Sequence, residues 1–251
     1  MGFLDNCIKK FETISLKEMD SVALMKRVDT KFLINKNLLE SILPSLSSHY
    51  KILKINGVTQ SRYNSFYFDT INYNFFLNHH NGKLNRFKVR FREYVDSKTS
   101  FLEVKRKNQS GKTIKKRIKV DRPSEKLNSD QKKYINEILN KKQDLIYCHT
   151  NNFFRLTLVN KYLKERITLD FDLEFIKDDK IISEKTNNVV IVELKQESLN
   201  RNSFFYKLLK ENGVRPSSMS KYCIGTALLN SNLKANRFKK NFRILNKINN
   251  N

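Results

Sequence analysis

Eight stretches of the chain alternate polar and apolar residues with a period of two, at 27–34, 63–69, 86–94, 101–107, 113–120, 155–161, 164–173 and 189–195. Successive side chains on an extended strand point to opposite faces, so each stretch predicts a β-strand with one polar and one apolar face. In 86–94, Arg86, Lys88, Arg90 and Arg92 share a face, and Phe87, Val89 and Phe91 share the other. The 27–34 stretch sets Arg27, Asp29 and Lys31 against Val28, Thr30 and Phe32. Glu103, Lys105 and Lys107 oppose Leu102 and Val104, while Lys115 and Arg117 oppose Ile114 and Ile118. Arg166, Thr168 and Asp170 oppose Ile167 and Leu169, and Glu193 and Lys195 oppose Val190, Val192 and Leu194. The turn residues Asn108-Gln-Ser-Gly111 predict a hairpin between the fourth and fifth strands.

Helical spacing is sparser. It predicts helices over 5–20, from Asn37 to about Tyr50 with Pro44 weakening or kinking the second half, over 129–142 behind a Ser start signal, over 203–212 stopped by Gly213, and over 218–230. Residues 1–230 read as one domain. Residues 231–251 read as a basic, Asn-rich tail, expected as a disordered solubilising end; an anionic membrane or a membrane-bound partner is the functional alternative for it.

Composition narrows the class. The 251 residues carry 49 Lys and Arg against 25 Asp and Glu, a formal charge of +24, which points to a polyanionic partner. Eighteen Phe and ten Tyr supply a core and argue against disorder. Three scattered cysteines suit a reducing compartment and make neither a disulfide framework nor a zinc site. His79 and His80 are adjacent, so on a strand they would diverge and not share a metal. There is no apolar run of transmembrane length and no secretory leader pattern, and Gly2 lacks the Ser or Thr at position 6 that myristoylation asks for. A cytoplasmic location is expected, with attachment to the inner face of a membrane only through a partner or the tail.

The charged faces carry the functional argument. One amphipathic antiparallel strand ordinarily turns its polar side to water. Six side by side would align like charges across a sheet, which is unfavourable unless an anion neutralises them. Eight antiparallel strands can close into a barrel. The expected fold is therefore α+β: a closed antiparallel eight-stranded β tunnel with flanking helices, its apolar face outward and about ten cations with three or four carboxylates inside. Such a lumen suits phosphate oxygens, with arginine forks for bidentate contacts. Phosphoryl transfer asks a protein mainly to align donor and acceptor and to absorb charge, which these residue types do. Nucleic acid is an unlikely partner on the face argument: the Phe residues of 86–94 alternate away from the arginines, so stacking and phosphate contacts would lie on opposite sides.

The ordered set Arg27-Val-Asp-Thr-Lys31-Phe32, Phe66-Tyr-Phe-Asp-Thr70, Asn85-Arg-Phe-Lys-Val-Arg-Phe-Arg-Glu-Tyr94, Phe101-Leu-Glu-Val-Lys105, Thr113-Ile-Lys115-Lys-Arg117, Arg166-Ile-Thr-Leu-Asp170, Val192-Glu193-Leu-Lys195 and Ser220-Lys-Tyr222 resembles the VTC (vacuolar transporter chaperone) domain. That domain is the polyphosphate polymerase module within the triphosphate tunnel metalloenzymes. The resemblance implies transfer of the γ-phosphoryl group of ATP to a growing inorganic polyphosphate chain, with Mn²⁺ or Mg²⁺ as cofactor. It implies phosphate-gripping roles for Lys31, Arg90, Arg92, Lys105, Lys115 and Arg166, a pair at the tunnel wall in Ser220 and Lys221, and a metal-binding carboxylate in Glu193. Arg27 and Arg117 are in phase with these as further substrate contacts, and Glu103 as a helper to the metal. Where the family's sixth strand carries a Tyr-x-Arg or Asn-Arg element, this chain reads Leu158-Val-Asn160-Lys161-Tyr162, which makes Lys161 the candidate for the arginine's role. The alternatives are a tunnel-type inorganic or nucleoside triphosphatase and a non-catalytic polyphosphate-binding domain. The Arg27-x-Asp29-x-Lys31 pattern weighs against the triphosphatase, because the relatives that hydrolyse carry Glu-x-Glu-x-Lys there.

Overall fold

The computed structural model describes residues 3–21 and 27–250; Gly2 lies outside them. In chain order the elements are α1 (Phe3–Ile8), β1 (Thr13–Ile14), α2 (Leu16–Ser21), β2 (Val28–Asn35), α3 (Lys36–Leu46), β3 (Tyr50–Leu53), β4 (Ser61–Asp69), α4 (Asn74–His80), β5 (Arg86–Tyr94), β6 (Thr99–Lys107), β7 (Thr113–Val120), α5 (Ser129–Leu139), β8 (Ile146–Asn160), β9 (Glu165–Lys177), β10 (Lys180–Ile182), β11 (Val189–Gln196), α6 (Phe204–Glu211), α7 (Lys221–Leu229), a 3₁₀ turn (Asn236–Phe238) and α8 (Lys239–Asn249). All eight alternating stretches are strands. β1, β3, β10 and α4 had no periodic signal that set them apart.

The strands form one sheet of eleven, of which eight follow the continuous path β2-β11-β9-β8-β4-β5-β6-β7. Two expectations are corrected here. The sheet has eleven strands, because short β1, β3 and β10 attach beside the main path, and it does not close, since β2 and β7 end the path without pairing to each other. Closure would bring the Lys115 and Arg117 side of β7 against the Arg27 and Lys31 side of β2 with no anion between, and charged edges resist strand pairing.

The apolar faces turn outward under helices. Phe32 and Ile34 of β2, Val190, Val192 and Leu194 of β11, and Ile167 and Leu169 of β9 bury against Leu39, Ile42, Leu43 and Leu46 of α3 and Phe205 and Leu209 of α6. On the other half, Val89, Phe91, Leu102 and Val104 bury against Phe75 of α4 and Ile135 of α5. α3 begins at Asn35, whose side chain accepts from Leu38 N at 2.7 Å, and it accommodates Pro44 in its last turn. The predicted 5–20 helix is instead two short ones, α1 and α2, parted by β1, which pairs in parallel with β3. α5 is capped one residue earlier than the Ser signal implied, by a reciprocal pair between Asn128 and Gln131.

The C-terminal stretch departs most from expectation. It is a helix, α8, whose Leu245 is buried in a cluster with Met219, Ile224 and Leu229.

Candidate active site

The polar faces of the eight main strands curve around a channel with two adjoining cavities. The inner one, about 240 Å³, is lined by seven cations (Lys31, Lys88, Arg90, Arg92, Lys105, Arg155 and Lys221) and three carboxylates (Glu103, Asp170 and Glu193), with Tyr67, Ser220 and Tyr222 among the rest. The outer one, about 710 Å³, is lined by Arg27, Lys115, Arg117, Arg155, Arg166 and Lys195, together with Tyr63, Tyr94, Phe101, Leu16, Met19, Leu53 and Ile55. Arg155 belongs to both. Twelve of the thirteen residues singled out from sequence therefore line this channel, Arg27, Lys115, Arg117 and Arg166 in its outer part and Lys31, Arg90, Arg92, Glu103, Lys105, Glu193, Ser220 and Lys221 in its inner part.

The thirteenth, Lys161, does not reach it, and this is a correction. Lys161 follows the last residue of β8, its backbone N–H donates to His49 O at 2.9 Å, and its ammonium pairs with Glu12 on the outside. Alternation from Arg155 puts Thr157, Val159 and Lys161 in phase, but Val159 is already under β1 and β3, in a cluster with Ile14 and Leu53. The strand leaves the channel before Lys161. The arginine supplied by this strand is Arg155, which pairs across to Asp170 in the β8–β9 register. β8 runs fifteen residues from Ile146, and its first half, Ile-Tyr-Cys-His-Thr-Asn-Asn-Phe-Phe, gives no clean alternation because of the register shift between Asn152 and Phe154.

Internal counter-ions hold much of the lining. Arg90 donates from Nε and Nη2 to Glu103 Oε2 at 2.9 and 2.6 Å, and Lys115 pairs with the other oxygen. Burial pushes the Glu103 carboxyl up, yet Arg90 and Lys115 outweigh it and bring it down to about 2. Arg155 grips Asp170 with both arms of its fork, at 2.5 and 2.7 Å, and Lys221 shares that carboxylate. Burial opposes ionisation of Asp170, but its two cations hold it well below the usual range. Glu193 sits between Lys31 and Lys195, one lysine on each oxygen, and is likewise held low against its burial.

Other cations lack such partners. Lys88 and Lys105 lie on one rung with the Glu103-paired Lys115, across β5, β6 and β7. Arg90 beside it, and then burial, push the Lys105 ammonium down to about 6. Lys88, lowered by burial, donates to Ser220 Oγ at 3.0 Å. Arg92 is 5% exposed, lies over the rings of Tyr63 and Phe153 at 5.4 and 5.2 Å, and leaves its Nη1 without a partner. Burial, then Arg90, bring it down to about 10. Arg166 Nε is also buried and unpartnered.

The inner end is built by α7. Ser220 caps this helix, accepting from Cys223 N at 3.2 Å, and the same hydroxyl meets Lys88. Tyr222 donates to buried Asp69, which also accepts from the backbone N–H groups of Phe75 and Phe76 and so ties α7 to α4. Lys88, Arg155, Asp170 and Lys195 are channel residues to which the sequence reading assigned no role; three of them were visible as polar-face residues of alternating strands.

As a donor set for a divalent cation, the channel offers single carboxylates. Among the described residues no three of His, Cys, Asp and Glu converge. Each channel carboxylate is held by two cations, so a hard ion taking one carboxylate, with water and phosphate oxygens for the rest of its shell, would have to displace them.

A curved antiparallel sheet enclosing a cationic channel, helices outside, defines a triphosphate tunnel protein. Within that class the chain belongs to the VTC domain family, whose sequence profile matches residues 26–230. No curated protein matches the chain in sequence. Among solved structures, a candidate adenylyl cyclase from Hippeastrum, described as having a dominant triphosphatase activity, shares the fold with a TM-score of 0.52 and 14% identity over 81% of this chain and 96% of that one. A candidate adenylate cyclase from Bacillus halodurans gives a TM-score of 0.50 and 14% identity over 78% and 94%. At such identity the likeness is one of fold. No helix of the described residues is long and apolar enough to cross a membrane.

Proposed function

We propose that this protein is an ATP-dependent polyphosphate polymerase. The observation that carries the reading is the set of buried or half-buried cations without a carboxylate partner, three of them, Lys88, Arg92 and Lys105, in the inner cavity and Arg166 in the outer one. From Lys88 to Tyr94 the β5 wall alone spans about 20 Å, which leaves room for more phosphates than the three of a nucleotide. The larger outer cavity, with Tyr63, Tyr94 and Phe101 beside its arginines, suits the nucleoside end of ATP, and the inner cavity suits phosphates alone.

In this reading Arg90, Arg92, Arg155 and Lys105 orient the phosphates in line. A terminal chain oxygen attacks the γ-phosphorus, the bond to the β–γ bridging oxygen breaks, and its electrons leave with ADP. The cations absorb charge on the transferring group, the main demand of this chemistry. Glu193 would hold Mn²⁺ or Mg²⁺, releasing Lys31 and Lys195 to the phosphates; the ion would neutralise charge on the β- and γ-oxygens.

The test is to incubate the protein with ATP and Mn²⁺ or Mg²⁺ and resolve products by polyphosphate gel beside ADP and free-phosphate assays. Long chains with equivalent ADP support the polymerase. Free phosphate without chains would transfer the assignment to a triphosphatase, the activity described for the Hippeastrum protein. Tight polyphosphate binding with neither product would leave a binding domain.

A further inference from the structure

We propose that the outward face of α8, with the loop that precedes α7, is an external track for polyphosphate beside the inner end of the channel. The proposal rests on the channel's binding polyphosphate and adds where the chain goes outside it.

From Asn212 to the C-terminus the sequence has eight Lys and Arg and no Asp or Glu. α8 sorts them by face. At about 100° per residue, Lys239, Lys240, Arg243 and Lys247 fall within about 100° of arc, and all four are exposed. Among the described residues none of them makes an ion pair. Phe242, Leu245 and Ile248 occupy the opposite arc and pack into the cluster that contains Met219 and Ile224.

The helix is seated beside the inner end of the channel. Asn241 Nδ2 donates to Ser218 O, and Ser218 stands two residues before Ser220, the α7 cap that meets Lys88 in the channel. The backbone of the same loop is pinned to the channel wall, Ser217 N donating to Lys31 O at 2.8 Å. A shallow groove lined by Pro216, Ser217, Ser218, Lys240 and Asn241 lies between loop and helix. Exposed Arg215 lies on the same loop. A chain leaving the channel at this end thus meets a row of unpaired cations, from Lys239 to Lys247, about 12 Å long.

The chemistry of the face selects the partner. An interfacial membrane helix needs its apolar side for lipid, and that side of α8 is spent on the protein's own core. A single-stranded nucleic acid gains much of its affinity by stacking on aromatic rings, and both aromatic residues of this segment, Phe238 and Phe242, pack inward. What is left is charge alone, which suits a polyanion made only of phosphate.

The experiment compares wild type with the variant Lys239→Gln/Lys240→Gln/Arg243→Gln/Lys247→Gln, glutamine being a good helix former. Affinities for tripolyphosphate and for long-chain polyphosphate are measured at several salt concentrations. The expected result is an unchanged tripolyphosphate affinity, which also reports an intact fold, with long-chain affinity lower by about tenfold and a shallower salt dependence. Equal long-chain affinity in the two proteins would overturn the track. So would an unchanged long-chain affinity accompanied by lost sedimentation with phosphatidylserine vesicles, which would assign the face to a membrane. Wild type that bound neither phosphate would instead strike down the channel reading itself.

Discussion

Lys161 lies six residues after Arg155, in the same phase and one residue past the end of β8, yet only Arg155 faces the channel. The difference is where the strand ends: β8 pairs edge to edge with β3 up to Asn160, Val159 is buried with Ile14 and Leu53, and Lys161 beyond them pairs with Glu12. Turnover therefore separates the two. Arg155→Lys keeps the charge and loses the fork on Asp170 and phosphate, and is expected to lower kcat about 10²-fold, the scale of one preorganised donor. Lys161→Ala, which loses only the pair with Glu12, is expected to leave kcat unchanged; equal losses would return Lys161 to the site. Lys105 makes a second prediction. With its ammonium down to about 6, it is largely neutral at pH 7 in the empty channel. A bound polyanion favours the charged form, raises that value and draws a proton from solvent. Binding near pH 7 should show proton uptake by calorimetry in buffers of different ionisation enthalpy, fading as pH falls below the empty-channel value. Lys105→Met should remove that share of the uptake; an unaltered uptake would place the titrating group elsewhere.

Among the elements, α7 is the one that finishes the channel. It presents Ser220 and Lys221 to the lumen, and its position depends on Gly225 lying against β8 and β9. A Cβ at Gly225 would come within 2.4 Å of the Phe175 ring and 2.6 Å of His149 Nε2, both buried. Gly225→Ala is expected to destabilise the protein by about 1–3 kcal/mol, read as a lower urea midpoint; an unmoved midpoint would mean that α7 is not held by this contact. The strands themselves were legible from alternation, several to within a residue or two: β5 and β7 match their predicted bounds outright. α4 was not legible, since a seven-residue helix whose backbone amides are held by Asp69 owes its form to a buried carboxylate and not to a periodic face. The tail was misread for a related reason. Its basic, Asn-rich composition resembles a solvated end, whereas the few apolar residues Phe242, Leu245 and Ile248 recur at helical spacing and find a surface to bury against.

For the molecule as a whole, two groups within the excess of positive charge have different consequences. Inside, twelve cations line the two cavities against three carboxylates, close to the ten and three or four expected from the strand faces. Outside, α8 adds an unpaired row beside the inner end of the channel. Alternation within a strand is local, so the sequence by itself determined which residues share a face, that the apolar faces needed helices over them, and that cations would be concentrated on the other side. Pairing, curvature and closure depend on residues far apart in the chain. Only the tertiary structure decided that Arg155 and not Lys161 enters the channel, that Glu193 lies between Lys31 and Lys195, that β2 and β7 stay apart, and that the C-terminal helix docks, because each of these is settled by which distant surfaces meet.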